Sequence, residues 1–351
     1  MLPGKRSVGF VVLLLAVTTI AGWRFVQWQF ERMEEPLQLD GPLTMEIERG
    51  TTLQGLAREL ENRGYLPSAF WLRVRAKLEP SLAGLQSGVY RMDDGMSPMA
   101  FVRRVASGDT QTWTVRIPEG WTFERVRARL ADAEPLDNEL QGMGGEAVMA
   151  RLEEPDMHPE GWFFPAVYEY KHGDSNLDVL ARAHDRMQQV LSALWQQRRD
   201  DLPLESPYEA LILASIVERE TPLADEKPRV AGVFIRRLQQ GMRLQTDPTV
   251  IYGMGEAYKG RIGRSDLRQY TPYNTYRIDG LPPTPIGMPG EASLRAAVNP
   301  ADGDALYFVA KGDGSHAFSE TLEAHNKAVR EYQLNRDADY RSFPAPDDGA
   351  E

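Results

Sequence analysis

The chain has 351 residues, of which 42% are hydrophobic and 26% charged, and its formal net charge at pH 7 is −11. This composition is that of a globular protein with room for two or three domains. The negative charge argues against nucleic acid as a partner, because phosphates bind to basic surfaces. The absence of cysteine excludes disulfides, thiolate nucleophiles and cysteine-ligated zinc. The histidines show no metal-ligand spacing, so we expect neither a metal nor another cofactor.

An apolar run near the N-terminus predicts a membrane anchor. No residue from 7 to 23 is charged, and the stretch 8–28 reaches the roughly 20 residues that a helix needs to span a bilayer. Lys5 and Arg6 precede this run, which predicts that residues 1–7 are a cytoplasmic stub and that the rest of the chain lies beyond the membrane. No small-residue cleavage site follows, which favours an uncleaved anchor over the alternative of a cleaved signal peptide.

After an acidic segment that we interpret as a linker (29–42), a strand–turn–helix pattern recurs. MEIERGTTLQGLAREL at 45–60 and VRIPEGWTFERVRARL at 115–130 align without a gap and share a glycine and a threonine. A looser copy follows a predicted strand at 89–92. In each copy a hydroxyl side chain precedes apolar residues at helical spacing, which predicts a capped amphipathic helix. The pattern indicates two or three related units, although chance similarity between common motifs remains the alternative.

The first unit also resembles LysM modules, which are small βααβ units that bind polymers of N-acetylglucosamine. The resemblance covers one strand-Gly-x-Thr-Leu-x-x-Leu-Ala stretch. A glycan-binding module and a spacer without glycan affinity therefore both remain open. The predicted fold is α+β: an N-terminal transmembrane helix, a small LysM-like strand–helix module at 43–110 and a larger α+β domain at 111–335. A disordered tail is predicted at 336–351.

The segment 206–222 predicts a buried helix. Ser206 and Pro207 are typical of a helix start, and ALILASIV at 210–217 carries no charge on any face. A helix that is apolar all round is buried, and Pro222 ends this one. The helix therefore brings its last, charged turn out of a protein core.

Glu218 in that last turn is the candidate catalytic residue. It lies one turn beyond Ala214, so we expect its carboxyl group to emerge at the floor of a cleft. Burial and the negative end of a helix dipole both favour a protonated carboxyl group, the form that general acid catalysis requires. Glu220 lies about 200° further round the helix and is expected to face elsewhere. From periodicity alone, a solvated helix end is the favoured alternative.

Two later segments offer side chains suited to a carbohydrate. Gln245, Thr246 and Asp247 present an amide, a hydroxyl and a carboxylate in succession. Asp247 precedes a proline and is equally suited to cap a helix. The loop YTPYNTY at 270–276 alternates aromatic and hydrogen-bonding side chains, which suits sugar rings but also suits packing against a core.

Several long motifs in fixed order resemble the YceG-like family of endolytic murein transglycosylases. They are EGWFFP, ASIVERET, RLQQGMRLQTDPTVIYG, YNTY, GLPPTPI and YFVAKGDGSHAFS. The resemblance runs from the anchor to about residue 333, and it implies a catalytic glutamate at Glu218. The substrate-binding residues that it implies are Gln245, Thr246, Asp247, Asn274 and Tyr276.

The reaction implied by the resemblance cleaves peptidoglycan strands between N-acetylmuramic acid and N-acetylglucosamine. It consumes no water, leaves 1,6-anhydro-N-acetylmuramic acid ends, and terminates or trims nascent strands. The resemblance also implies a single-pass protein of the bacterial inner membrane with a periplasmic catalytic domain, and penicillin-binding wall synthases as candidate partners. Two alternatives remain open: a hydrolase with Asp247 or Glu220 as base, and a non-catalytic glycan-binding scaffold for the synthases.

Overall fold

The computed structural model describes the backbone of residues 5–334 and the side chains of residues 13–333. The predicted tail at 336–351 lies outside the described residues, as do residues 1–4 of the predicted stub and the side chains of residues 8–12. Helices and small two-stranded sheets alternate along the described chain, so the predicted α+β class is confirmed. The chain forms two compact units. The first runs to Trp113 and includes Glu169–Gly173; the second comprises Thr114–Tyr168 and the chain from Asp174 onward.

Helix α1 (Lys5–Glu34) contains the predicted anchor and continues beyond it. Among the described residues, no helix is both long enough and apolar enough to cross a membrane. The predicted linker at 29–42 needs correction in its first part, because the chain stays helical to Glu34 and Phe30 and Met33 are buried in the core of the first unit. Glu34 also accepts two hydrogen bonds from the guanidinium of Arg103. The end of α1 is therefore a packed part of the first unit.

The first unit is built around one antiparallel strand pair. Its further elements are β1 (Leu43–Ile47), α2 (Leu53–Asn62), α3 (Ala69–Leu78), a 3₁₀ turn (Pro80–Ala83), β2 (Gly88–Met92) and α4 (Pro98–Ser107). In the β1–β2 register Met45 lies opposite Tyr90, and both side chains are buried. Leu56 and Leu60 of α2 are fully buried, as their helical spacing predicts.

The strand–turn–helix units predicted from the repeats are present with a shared spacing. β3 (Thr112–Ile117) and α5 (Phe123–Ala131) form the last of them. In every unit a glycine with positive φ follows the strand, a conformation that favours glycine. These glycines come three positions after the strand ends: Gly50 after Ile47, Gly95 after Met92 and Gly120 after Ile117. Both main copies thus have the predicted strand before the glycine and the predicted helix after it.

The remaining elements follow in chain order. They are α6 (Gly145–Arg151), β4 (Ala166–Lys171), α7 (Asn176–Gln196), α8 (Pro207–Glu220), α9 (Lys227–Gln239), α10 (Asp247–Met254), a 3₁₀ turn (Gly255–Ala257), α11 (Arg264–Arg268), α12 (Glu291–Val298), β5 (Tyr307–Ala310), β6 (His316–Ser319), α13 (Leu322–Val329) and a π turn (Arg330–Leu334). β3 pairs with β4, and β5 pairs antiparallel with β6.

Helix α8 is the centre of the core of the second unit. Ser206 caps it by accepting a hydrogen bond from the backbone N–H of Glu209 at 3.3 Å. Every residue from 210 to 217 is buried, and α8 packs against α7, α9, α10 and α12. The buried helix predicted from the charge-free segment is confirmed. Because other elements surround α8 on all sides, they decide where the side chains of its last turn point.

Candidate active site

A half-open groove of about 900 Å³ lies beside the C-terminal end of α8. Its walls come from the end of α8, the turn before α10, the loop near residue 276, strand β5 and the helix that follows β6. The predicted site residues that line it are Gln245, Thr246, Asp247 and Tyr276. The fold therefore brings together residues from segments that are about thirty positions apart in the chain.

Glu220, the last residue of α8, is the glutamate of this helix that lines the groove. Its carboxyl group accepts a short hydrogen bond from the hydroxyl of Thr246. Burial raises the pKa of Glu220 to about 7; the charge of Asp247 adds to the rise, whereas the Thr246 hydrogen bond and Arg237 oppose it. A carboxyl group with a pKa near neutrality suits a residue that first donates and then accepts a proton.

Glu218 is held in a buried ion pair and does not line the groove. Lys227 Nζ lies 2.9 and 3.0 Å from its two carboxylate oxygens. The side chains of Lys227 and Glu218 are only 3% and 5% exposed. One oxygen also accepts hydrogen bonds from the Ser293 hydroxyl at 2.7 Å and from the Gly290 N–H at 2.9 Å.

This arrangement reverses the expected orientations of the two glutamates. The starts of α9 and α12 cover the face that carries Glu218, so its carboxylate is satisfied by protein donors rather than presented to a cleft. In contrast to the expected orientations, Glu220 lines this groove and Glu218 does not. The catalytic role of Glu218 stays a prediction, and the geometry favours Glu220 for that role.

The turn before α10 presents its side chains to the groove. Gln245 is exposed and has φ +51°, an uncommon backbone conformation for a residue other than glycine. Asp247 is the first residue of α10, while Thr246 occupies the N-cap position. The Asp247 carboxylate instead accepts a hydrogen bond from the hydroxyl of Tyr276 at 2.7 Å. The alternative of Asp247 as a helix cap is therefore not what the structure shows, and its exposed carboxylate faces the groove.

Asn274 organises its loop and does not line the groove. It is 1% exposed, and its amide nitrogen donates to the carbonyl oxygens of Asp266, Leu267 and Gln269. Its side-chain oxygen accepts from the backbone N–H of Tyr276 at 3.0 Å. Both ends of the amide are therefore used within the loop, and the substrate-binding role of Asn274 stays a prediction. Asn274 supports the loop that carries Tyr276 to the groove.

The chain is similar to known proteins over most of its length. The sequence pattern of the YceG-like family matches residues 45–331. The chain belongs to the YceG-like family. It is 31% identical over 319 residues to the endolytic murein transglycosylase of Bacillus subtilis strain 168, covering 85% of this chain and 87% of that protein.

More distant relatives and a solved structure agree with this membership. The chain is 24% identical to the endolytic murein transglycosylase of Streptococcus pneumoniae strain R6, over 83% of this chain and only 58% of the pneumococcal protein. A YceG-like protein from Listeria monocytogenes with a crystal structure is 29% identical. It matches with a TM-score of 0.50 and covers 82% of this chain and 98% of that one.

In this YceG-like protein the groove also contains a cation that lies in one of the quoted motifs but to which the sequence assigned no role. Arg237 of α9 is buried, donates to the Leu244 carbonyl at 2.6 Å and lies over the ring of Tyr307, 5.2 Å from its centroid. Its charge lowers the pKa of Glu220. The sequence did carry a signal, because Arg237 follows Val233 by four positions and so places a charge on the buried face of an amphipathic helix.

A second buried carboxyl group belongs to the EGWFFP motif of this YceG-like protein. Burial raises the pKa of Glu160 to about 7. Its oxygens accept hydrogen bonds from the Phe123 N–H at 3.0 Å and from the Tyr252 hydroxyl at 2.9 Å. Glu160 does not line the groove. Glu160 therefore holds segments of the second unit together, and a substrate bound in the groove is not expected to contact it.

Proposed function

We propose that this protein is an endolytic lytic transglycosylase of peptidoglycan, with Glu220 as its acid and base. The observation that carries the proposal is a carboxyl group whose pKa burial raises to about 7, lining a groove with the polar side chains of Gln245, Thr246, Asp247 and Tyr276. The relatives named endolytic murein transglycosylases support the choice of substrate and reaction. The proposed role is to terminate or trim nascent glycan strands during wall synthesis.

In the proposed reaction Glu220 acts twice. Its carboxyl group first donates a proton to the oxygen between N-acetylmuramic acid and N-acetylglucosamine, and the bond from that oxygen to C1 of the muramic sugar breaks. Positive charge develops at C1, near the carboxylate of Asp247. The C6 hydroxyl of the same sugar then attacks C1 and loses its proton to the Glu220 carboxylate. The product is a 1,6-anhydro ring, the glutamate is again protonated, and no water is consumed.

Mass spectrometry of the products separates this reaction from its alternatives. The full chain in detergent is expected to release fragments from purified peptidoglycan that end in 1,6-anhydro-N-acetylmuramic acid. Reducing ends would instead assign a hydrolase. A well-folded protein that binds glycan and releases no fragments would point to a non-catalytic scaffold.

The raised pKa of Glu220 predicts how cleavage depends on pH. The first step needs the protonated carboxyl group, so kcat/KM is expected to fall about tenfold per pH unit above a pKa near 7. The groups that face Glu220 are Thr246, Asp247, Arg237 and Tyr276. Glu160 has a similar pKa but lies outside the groove, so Glu160→Gln serves as the control. In this variant kcat/KM should still fall above pH 7. A profile that stays flat from pH 6 to 9 would contradict this assignment.

We also propose that α1 anchors the protein in the bacterial inner membrane with its N-terminus in the cytoplasm. Its exposed aliphatic and aromatic side chains support this: Leu13, Leu14, Leu15, Val17, Ile20, Trp23, Phe25 and Trp28. The hydroxyls of Thr18 and Thr19 bond to carbonyl oxygens of the same helix, which lowers the cost of placing them in lipid. Penicillin-binding wall synthases are then candidate neighbours. Recovery of the full chain in the soluble fraction, without any membrane-bound pool, would refute the anchor.

For the first unit we propose a LysM-like module that holds a second glycan site. The order β1–α2–α3–β2 is that of a βααβ unit. Supporting evidence is a pocket of about 320 Å³ between the loops at 48–51 and 85–87, lined by the polar residues Glu48, Arg49, Thr51, Gln86 and Ser87. Binding of an N-acetylglucosamine oligomer to the full chain should weaken in Gln86→Ala, whereas no binding at all would make the module a spacer.

A further inference from the structure

The hairpin of β5 and β6 brings a histidine to the wall of the groove. His316 is the first residue of β6 and pairs with Ala310 of β5. Its side chain is 6% exposed, and the residue lines the groove together with Tyr307 and Phe308. The sequence motif that contains His316 is part of the family resemblance, but no step of the proposed reaction uses this residue.

Glu226 binds His316 at two atoms. One carboxylate oxygen accepts the backbone N–H of His316 at 2.9 Å, and the other lies 2.8 Å from the ring nitrogen Nδ1. The Glu226 side chain is itself only 12% exposed. Because a carboxylate accepts hydrogen bonds, this contact assigns the proton of the neutral imidazole to Nδ1 and leaves a lone pair on Nε2. Glu226, directly before α9, thus sets both the position and the tautomer of a residue 90 positions away.

The second ring nitrogen of His316 is available to the groove. No described residue donates to Nε2 or accepts from it. Within the described chain, the buried side-chain atoms without partners are Trp162 Nε1, His184 Nε2, Thr271 Oγ1 and His325 Nδ1. Nε2 of His316 is not among them, so it reaches the solvent of the groove that the residue lines.

The aromatic neighbours of His316 hold the ring without using this nitrogen. The Phe308 ring meets the imidazole edge to face, with centroids 5.4 Å apart. The Phe318 ring lies 6.5 Å away at a steep angle. An aromatic surface beside a single hydrogen-bond acceptor fits a sugar ring, which offers apolar C–H faces and hydroxyl donors.

We propose that His316 binds the glycan, with Nε2 of its neutral imidazole accepting a hydrogen bond from a sugar hydroxyl, and that Glu226 is the positioning residue that holds the N–H at Nδ1 and keeps Nε2 aimed at the groove. The inference rests on the proposed function, because it assumes that glycan occupies the groove. It adds a binding contact on the β5–β6 wall, supplied by a different segment from the residues near Glu220.

The first test observes His316 itself. The full-length Glu220→Gln protein, labelled with ¹⁵N-histidine, is titrated with a hexasaccharide of alternating N-acetylglucosamine and N-acetylmuramic acid. Before addition, the ¹⁵N shifts of His316 should show a protonated Nδ1 and a bare Nε2. The hexasaccharide should move the Nε2 resonance, while His184, which is buried in the second unit and does not line the groove, serves as the control resonance. Glu226→Gln should redistribute the His316 tautomers.

The second test is kinetic and uses the active full chain. A contact that is equal in the bound substrate and the transition state changes KM and not kcat. His316→Ala should therefore raise KM about 3- to 10-fold, the size expected for one lost hydrogen bond, with a much smaller change in kcat. An unmoved Nε2 resonance together with an unchanged KM overturns the inference. Absence of cleavage by the unmodified protein instead overturns the proposed function on which it rests.

Discussion

Glu220→Gln is expected to lower the rate of glycan cleavage by at least about 10²–10⁴-fold, the usual contribution of general acid–base catalysis. Glutamine keeps the shape of the side chain and an oxygen that accepts the Thr246 hydrogen bond. It carries no proton that can be delivered to the glycosidic oxygen. The loss should therefore appear in kcat, measured as release of anhydro-ended fragments, while thermal unfolding stays near that of the unmodified protein.

Glu218→Gln is the matched control, because the two glutamates lie on the same helix turn but face different surroundings. Its activity per folded molecule should stay well above that of Glu220→Gln, since Glu218 does not line the groove. The opposite ranking, with Glu220→Gln active and a well-folded Glu218→Gln inactive, would return the acid/base role to Glu218. Loss of activity in both variants without unfolding would make the end of α8 a two-carboxylate site.

Lys227→Met is expected to lower the free energy of unfolding by about 3–5 kcal/mol, the range found when one partner of a buried ion pair is removed. Lys227 is 2% exposed, and its ammonium group bonds to both carboxylate oxygens of Glu218. Methionine fills a similar volume but leaves the Glu218 carboxylate buried without its counter-charge. The hydrogen bonds that Ser293 and Gly290 donate to Glu218 remain, so the decrease in the free energy of unfolding should lie toward the lower end of this range. Guanidinium unfolding of the full chain measures the change.

Two further variants separate the charge effect from packing. Combining Lys227→Met with Glu218→Gln removes both charges, so the double variant should be more stable than Lys227→Met alone. Arg295→Met breaks the solvent-exposed pair with Glu291 and should change stability far less. If Lys227→Met unfolds at the same guanidinium concentration as the unmodified protein, the buried pair does not hold α8 and α9 together.

Local patterns in the sequence predicted the elements that carry the site. The uncharged segment 210–217 predicted a buried helix, and its caps placed both ends correctly. The recurring glycine and hydroxyl residues predicted the strand–turn–helix units. Each of these features depends on hydrogen bonds and spacing within a few residues, so the sequence alone determined it.

Only the tertiary structure decided which glutamate reaches the groove. A helix buried on every side has no apolar stripe, so periodicity does not distinguish the face of Glu218 from that of Glu220. The choice is made by Lys227 and the start of α12, which cover Glu218, and by Thr246, which meets Glu220. The contact between Glu226 and His316 likewise joins segments 90 residues apart. Contacts at such separations follow from how whole elements pack, and no short stretch of the sequence encodes them.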